Sequence, residues 1–236
     1  NVRDIQGFAH SFDTAARVSS DRGCITLIGI EPTFPSTGFG YIQRDGVIDA
    51  RAGVYNVESF KEKPNYDTAK QYVESGNYLW NCGYFVGSVD VFMNEMKRSA
   101  PDLWSNYQTL ASVAEFGGEE YNRTYLELDN QVIDIALIEK AAELAVVSAD
   151  FDWMDIGNFK DLHNAVAKDE NDNYVRGENI HTIDIDNTYI RNEQPDKPVA
   201  VIGLDNVVVV NTPDGVLVAR RDVAAKCGDI AKKLQA

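Results

Sequence analysis

Four short stretches of this 236-residue chain set polar or glycine residues beside apolar, strand-like runs, and each has a chemistry it can serve. In Pro35-Ser36-Thr37-Gly38-Phe39-Gly40-Tyr41, two glycines flank an aromatic ring, which lets the backbone approach a ligand closely. No third glycine follows and a Pro-bearing loop precedes it, so the dinucleotide-binding pattern does not fit; a plain glycine-bearing turn also accounts for the stretch. Phe60-Lys61-Glu62-Lys63-Pro64 ends the strand-like run 54–60. There Glu62 can accept from sugar hydroxyls and Lys63 can face a phosphate, although most Glu-Lys neighbours are solvated surface charges. In Trp80-Asn81-Cys82-Gly83 the Asn81 amide offers a hydroxyl both a donor and an acceptor, or else is a turn residue entering a strand. In Asp150-Phe151-Asp152-Trp153-Met154-Asp155-Ile156-Gly157, three carboxylates fall within six residues. Such hard oxygen ligands suit Mg²⁺, with Asp155 the expected one; capping the following helix is its other reading.

The elements that must position these residues follow from periodicity. Phe8, Phe12, Ala15 and Ala16 recur at helical spacing, and that helix ends before a turn at 21–23. Residues 24–30 form an almost continuous apolar, β-branched run, the pattern of a strand buried on both faces. Further helices are expected at 66–75, from a Ser88 cap to a stop at Pro101, from an Asp129 cap through Lys140, and at 158–167, with strands at 82–86 and 145–148. This alternation implies an α/β sandwich. Beyond Asn171 short β-rich runs take over, at 180–185, 189–191, 199–204, 207–211 and 215–220. Thr212-Pro213-Asp214-Gly215 carries the chemistry of a tight hairpin turn, and a final helix is expected at 222–234. The polar stretch 169–173 divides the chain into parts 1–170 and 171–236.

Bulk properties exclude several classes. A net charge of -15 argues against a nucleic-acid duplex or an anionic membrane surface as partner, yet leaves room for a small anion held by local cations and a metal. No apolar run approaches the roughly 20 residues that span a bilayer, and no secretory signal is visible. The three cysteines, Cys24, Cys82 and Cys227, lie far apart in apolar contexts and read as buried thiols of a cytoplasmic protein. His10, His163 and His181 have no metal-ligand spacing, and nothing suggests a covalent nucleophile.

In order and spacing these stretches resemble, over nearly the whole chain, the mannose-1-phosphate guanylyltransferases among the sugar nucleotidyltransferases. Residues 28–33 running into Thr37-Gly38-Phe39-Gly40-Tyr41-Ile42 resemble that family's sugar-side loop, with Phe39 where Tyr is usual. Glu62-Lys63-Pro64, Trp80-Asn81-Cys82-Gly83-Tyr84-Phe85 and Trp153-Met154-Asp155-Ile156-Gly157 are similar to its remaining motifs, with Cys82 in place of Ser. The resemblance implies an incomplete Rossmann-like nucleotidyltransferase sandwich with a small β-rich, β-helix-like C-terminal unit. It implies transfer from GTP to mannose 1-phosphate, giving GDP-mannose and pyrophosphate. Gly40, Glu62 and Asn81 would line the sugar pocket, Lys63 would meet the sugar phosphate, and Asp155 would hold Mg²⁺, with Lys63 and Asp155 the catalytic pair. The family's glycine-rich nucleotide loop and second metal-binding Asp match nothing here, as if the chain were cut at Asn1. By itself it is therefore expected to bind a sugar phosphate without transferring a nucleotide. The apolar run Val207-Val208-Val209-Val210 is expected to pack on another domain or subunit, giving a homodimer. Three alternatives stay open: another sugar-1-phosphate nucleotidyltransferase, a glycosyltransferase using Asp150-Phe151-Asp152, and a non-catalytic sugar-phosphate binding or assembly module.

Overall fold

A computed structural model describes residues 1–113 and 116–234. By contact the chain divides into two units, Val2–Trp153 and Met154–Ala236, the latter together with Asn1. The first is a mixed α/β unit. Helix α1 (Ile5–Arg22) opens with the Asp4 carboxylate accepting from Gly7 N and closes at Gly23, whose φ of 67° takes the left-handed C-cap. Its apolar stripe, Phe8, Phe12, Ala15 and Val18, packs with strands β1 (Ile25–Ile30) and β5 (Leu144–Ala149). β1 is buried along its length, as its apolar run implies, and lies antiparallel to β4 (Tyr78–Val86) and parallel to β5. Strands β2 (Gly40–Asp49) and β3 (Val54–Lys61) pair with each other; β2 joins β4, and β3 returns to β5, so the ring of pairings closes. The expected α/β architecture holds, and the closure through β3 and β5 adds to it.

Helices cover this sheet on several sides. α2 (Tyr66–Ser75), capped by Asn65, packs Ala69, Tyr72 and Val73 on Tyr41 and Trp80. α3 (Val89–Ser99) is capped by Ser88, whose Oγ accepts from Val91 N at 3.2 Å. Pro101 both ends α3 and opens α4 (Pro101–Ala111), since its ring cannot continue one helix but suits the first turn of the next. α5 (Glu119–Glu127) follows. The single helix expected between Asp129 and Lys140 is instead a short α6 (Ile133–Ala136) after an extended Val132, then a 3₁₀ turn, Ile138–Lys140. The physical reason is burial: Ala136, Leu137 and Ile138 are consecutive and all inside the core. A regular helix turns about 100° per residue and cannot bury three in a row on a narrow stripe, so the backbone leaves helical geometry at Leu137.

The second unit is β-rich and β-helix-like. It begins with α7 (Phe159–Ala165) and continues through β6 (Tyr174–Gly177), β7 (Ile180–Ile183), β8 (Tyr189–Asn192), β9 (Val199–Ile202), β10 (Val207–Thr212) and β11 (Gly215–Arg220). β6, β8 and β10 stack in parallel, and so do β7 and β9. Gly177, Asn192 and Asn211 share one rung. Asn211 Nδ2 donates to Asn192 Oδ1 at 2.9 Å, and Asn192 Nδ2 donates to the carbonyls of Glu178 and Lys197. At Gly177, with φ 119°, a Cβ would lie 2.1 Å from Asn192 O, which reserves the position for glycine. The expected tight hairpin turn is present, with Thr212 opposite Gly215 and Pro213-Asp214 between them. A 3₁₀ segment, Arg221–Lys226, precedes α8 (Cys227–Leu234), where an unbroken helix was expected.

Candidate active site

The candidate residues meet where β2 begins, β3 ends and β4 passes between β1 and β2. Asn81 on β4 stands opposite Gly29 on β1 and Gly40 on β2. A Cβ on Gly40 would lie 2.5 Å from Glu62 Oε2, 3.1 Å from Phe60 Cζ and 3.2 Å from Asn81 Cβ. Only glycine at this position keeps the Glu62 carboxylate and the Asn81 amide side by side.

Glu62 follows the last residue of β3 and is fixed from both directions. Its backbone N–H donates to Glu139 Oε1 at 2.9 Å, and Lys61 Nζ reaches the same oxygen at 3.3 Å. Its Oε1 holds Lys63 Nζ at 2.8 Å, while Oε2 is buried with no hydrogen-bond partner among the described residues. A buried carboxylate oxygen without a donor is rare, and beside Gly40 a ligand hydroxyl can supply that donor. Lys63 has φ 44°, although a residue before proline is ordinarily extended. Backbone held so far from its preferred region points to a constrained role for the residue.

Asn81 is buried, and its amide orientation is unambiguous: Nδ2 donates to Asp134 Oδ1 at 3.0 Å and Oδ1 accepts from Gly83 N at 3.0 Å. Beside it, burial pushes the Cys82 thiol up to about 12. Cys24 is buried, whereas Cys82 and Cys227 are half-buried, and all three are free thiols. The loop before Gly40 is anchored by rings: Phe39 meets Trp80 at 5.2 Å and Trp153 at 5.4 Å between centroids.

The acidic stretch divides into separate roles. Asp152 Oδ1 accepts from Arg3 N at 2.8 Å and Asp4 N at 2.7 Å, and these bonds hold its carboxyl below the usual range. Phe151 is buried. Asp152 and Phe151 are thus engaged within the first unit, which takes one carboxylate of Asp150-Phe151-Asp152 away from the metal role that a glycosyltransferase would give it. Asp155 is exposed in the second unit, and a Cβ on Gly157 would lie 3.5 Å from its Oδ2. It does not cap α7; Asn158 does, accepting from Lys160 N and Asp161 N. Among the described residues no group of three or more His, Cys, Asp or Glu side chains assembles as a metal cage. A single exposed carboxylate is the kind of donor set Mg²⁺ uses when substrate phosphate and water complete its shell.

Gly40, Glu62, Lys63 and Asn81 therefore come together, and Asp155 belongs to the other unit. Asp134 and Glu139 are the side chains of this region that sequence reasoning missed. They bracket the stretch 136–138, whose burial only the structure reveals.

Residues 5–172 match the family described as nucleotidyl transferase, well over half of the chain. The chain belongs to the nucleotidyl transferase family. Residues 177–234 of this nucleotidyl transferase chain match the MannoseP isomerase/GMP-like beta-helix domain, in keeping with the stacked parallel strands. It is 35% identical over 219 residues to a mannose-1-phosphate guanylyltransferase of Klebsiella pneumoniae, covering 89% of this chain and 46% of that protein. It is 35% identical over 210 residues to the alginate biosynthesis protein AlgA of Pseudomonas syringae pv. tomato, covering 88% of this chain and 43% of that protein. Among solved structures, one described as a mannose-1-phosphate geranyltransferase from Thermus thermophilus superimposes with a TM-score of 0.82 at 28% identity, covering 100% of this chain and 67% of that one. The chain spans about half the length of the curated relatives it matches.

Proposed function

We propose that this chain is the sugar-binding part of a mannose-1-phosphate guanylyltransferase, which transfers a guanylyl group from GTP to mannose 1-phosphate and releases pyrophosphate. The observation that carries the reading is the unpartnered Glu62 Oε2, buried beside Asn81 over Gly40. An acceptor and an amide so placed suit vicinal hydroxyls, and Lys63 next to them suits a phosphate. The names of the relatives support the choice of sugar and nucleotide. In the proposed division, residues 1–170 carry the sugar and metal sites, and 171–236 form the β-rich unit.

In the reaction, a phosphate oxygen of mannose 1-phosphate forms a bond to the α-phosphorus of GTP as the bond to the pyrophosphate oxygen breaks. No side chain becomes covalently attached. Glu62 and Asn81 orient the sugar, and Lys63 holds its phosphate so that the attacking oxygen is aligned, which is where most of the rate advantage of such a site arises. Asp155 would hold Mg²⁺, which would supply positive charge against the negative charge that develops in the transfer.

The run 207–210 is buried among the second unit's own strands and so offers no interface. A homodimer through this unit would instead use Val216 and Val218 on β11 and Ile183 and Ile202 at the ends of β7 and β9, which are exposed. No helix among the described residues is long and apolar enough to cross a membrane, and a cytoplasmic enzyme acting on soluble substrates accords with that. The test follows pyrophosphate release from GTP, mannose 1-phosphate and Mg²⁺ in the full protein that carries this sequence, with mannose 1-phosphate binding measured by calorimetry. Release should require all three components. Lys63→Ala binding as tightly as wild type would place the sugar phosphate elsewhere.

A further inference from the structure

We infer that Asp134 is a positioning residue that sets the direction in which the pocket reads a sugar hydroxyl, with Glu139 fixing the opposite wall. The inference rests on the proposed function, because it assigns how that site is oriented. An asparagine amide can present either its N–H or its carbonyl to a given point, and a flip exchanges donor for acceptor. At Asn81 both ends are claimed: the Asp134 carboxylate can only accept, so it takes Nδ2, and the Gly83 N–H can only donate, so it takes Oδ1. One N–H of Asn81 is left for a ligand, beside the Glu62 Oε2 that can only accept while ionised. The pair therefore presents one donor and one acceptor in a fixed order, which suits one hydroxyl accepting and its neighbour donating.

Both supports come from the same segment. Asp134 lies on α6, Glu139 lies in the following 3₁₀ turn, and Leu137 and Ile138 between them are buried in the core. Glu139 takes the Glu62 N–H, so the two walls of the pocket share one anchored frame. Asp134 itself is only half-buried and fills no part of the core, so its replacement should leave the fold intact.

The experiment is a double-mutant cycle on Asn81 and Asp134 in the full protein, read as KM for mannose 1-phosphate, KM for GTP and kcat, with thermal unfolding followed in parallel. Asp134→Ala should raise KM for mannose 1-phosphate about tenfold and leave KM for GTP within about twofold. Asp134→Asn keeps an acceptor oxygen and should restore most of the loss. Asn81→Ala with Asp134→Ala should be no worse than Asn81→Ala alone, since the second residue acts only through the first. Should Asp134→Ala fail to fold, Asp134→Ser, whose hydroxyl is too short to reach Asn81, replaces it in the same cycle. Unchanged KM in the alanine variant, an asparagine variant as impaired as alanine, or strictly additive effects would each overturn the inference while leaving the proposed function standing. A wild-type protein that turns over no sugar phosphate with GTP would sink both.

Discussion

A methyl group at Gly40 meets the free oxygen of Glu62 before anything else, and that oxygen is the end of a side chain able to swing away. Gly40→Ala should accordingly lower mannose 1-phosphate affinity by about tenfold or more, with a smaller cost in thermal unfolding from the tight approach to Phe60 and Asn81. Calorimetry alongside a melt separates the two, and a stable variant of wild-type affinity would remove Gly40 from the site. Asp155→Asn keeps the shape of the side chain and removes its charge. Pyrophosphate release should fall about 100-fold with sugar-phosphate binding preserved, as expected for a group that stabilises developing charge. Cys82 gives a third check: with its thiol pushed up to about 12, it should react with a disulfide reagent at pH 8 far more slowly than an exposed thiol. Fast labelling of Cys82 would mean that β4 is open at its centre.

Among the elements, α3 is tied to the approach of β5 by one buried acid. Burial alone would raise the Glu95 carboxyl, but hydrogen bonds from Ser99 Oγ, Ala142 N and Arg98 outweigh it and hold the group below its ordinary range. That stabilisation is complete above the unfolded value near 4.5 and is lost as pH falls through the lower folded value. Glu95→Ala leaves the Ala142 N–H without its acceptor and should cost about 2 to 3 kcal/mol in urea unfolding at pH 7. A smaller loss would mean that water replaces the carboxylate. The elements that sequence alone reveals are those with local causes: β1 by its unbroken apolar run, α2 at the expected 66–75, where the structure shows an Asn65 cap and a Gly76 stop, and the hairpin at Pro213-Asp214 by turn chemistry. β2 escaped because Gln43-Arg44-Asp45-Gly46 interrupts its alternation, and the structure has register shifts in that stretch. The same division holds in the pocket. Gly40, Glu62, Lys63 and Asn81 are visible as polar interruptions of strand-like runs. Asp134 and Glu139 owe their roles to partners 53 and 77 residues away, and no local pattern encodes such a meeting.

At the scale of the molecule, two units with separate cores should respond differently to acid. His163 is fully buried in the second unit, and its ring has a defined tautomer: Arg221 can only donate, so Nδ1 accepts and Nε2 donates to Asp172 O at 2.8 Å. Burial, with Arg221 and Lys168 nearby, keeps His163 neutral to lower pH than an ordinary histidine. The unfolded chain takes up a proton near 6.5 and the folded unit only below that. Stability is therefore fully present above about 6.5 and declines as pH falls through the window beneath it. Melts at pH 7.5 and 5.5 should show a larger loss for wild type than for His163→Gln, and equal losses would remove His163 from the account. The stacked strands carry one more consequence. Fifteen residues separate Tyr174 from its partner Tyr189, and nineteen separate Tyr189 from Val208, yet the rung of Gly177, Asn192 and Asn211 stays aligned. The surplus sits in the corner at 193–198, between β8 and β9, where β6 and β7 are joined by only Glu178 and Asn179. An insertion should therefore cost least in that corner, provided the Lys197 carbonyl still reaches Asn192, whereas one residue added within 189–192 would turn the inward side chains that follow it outward.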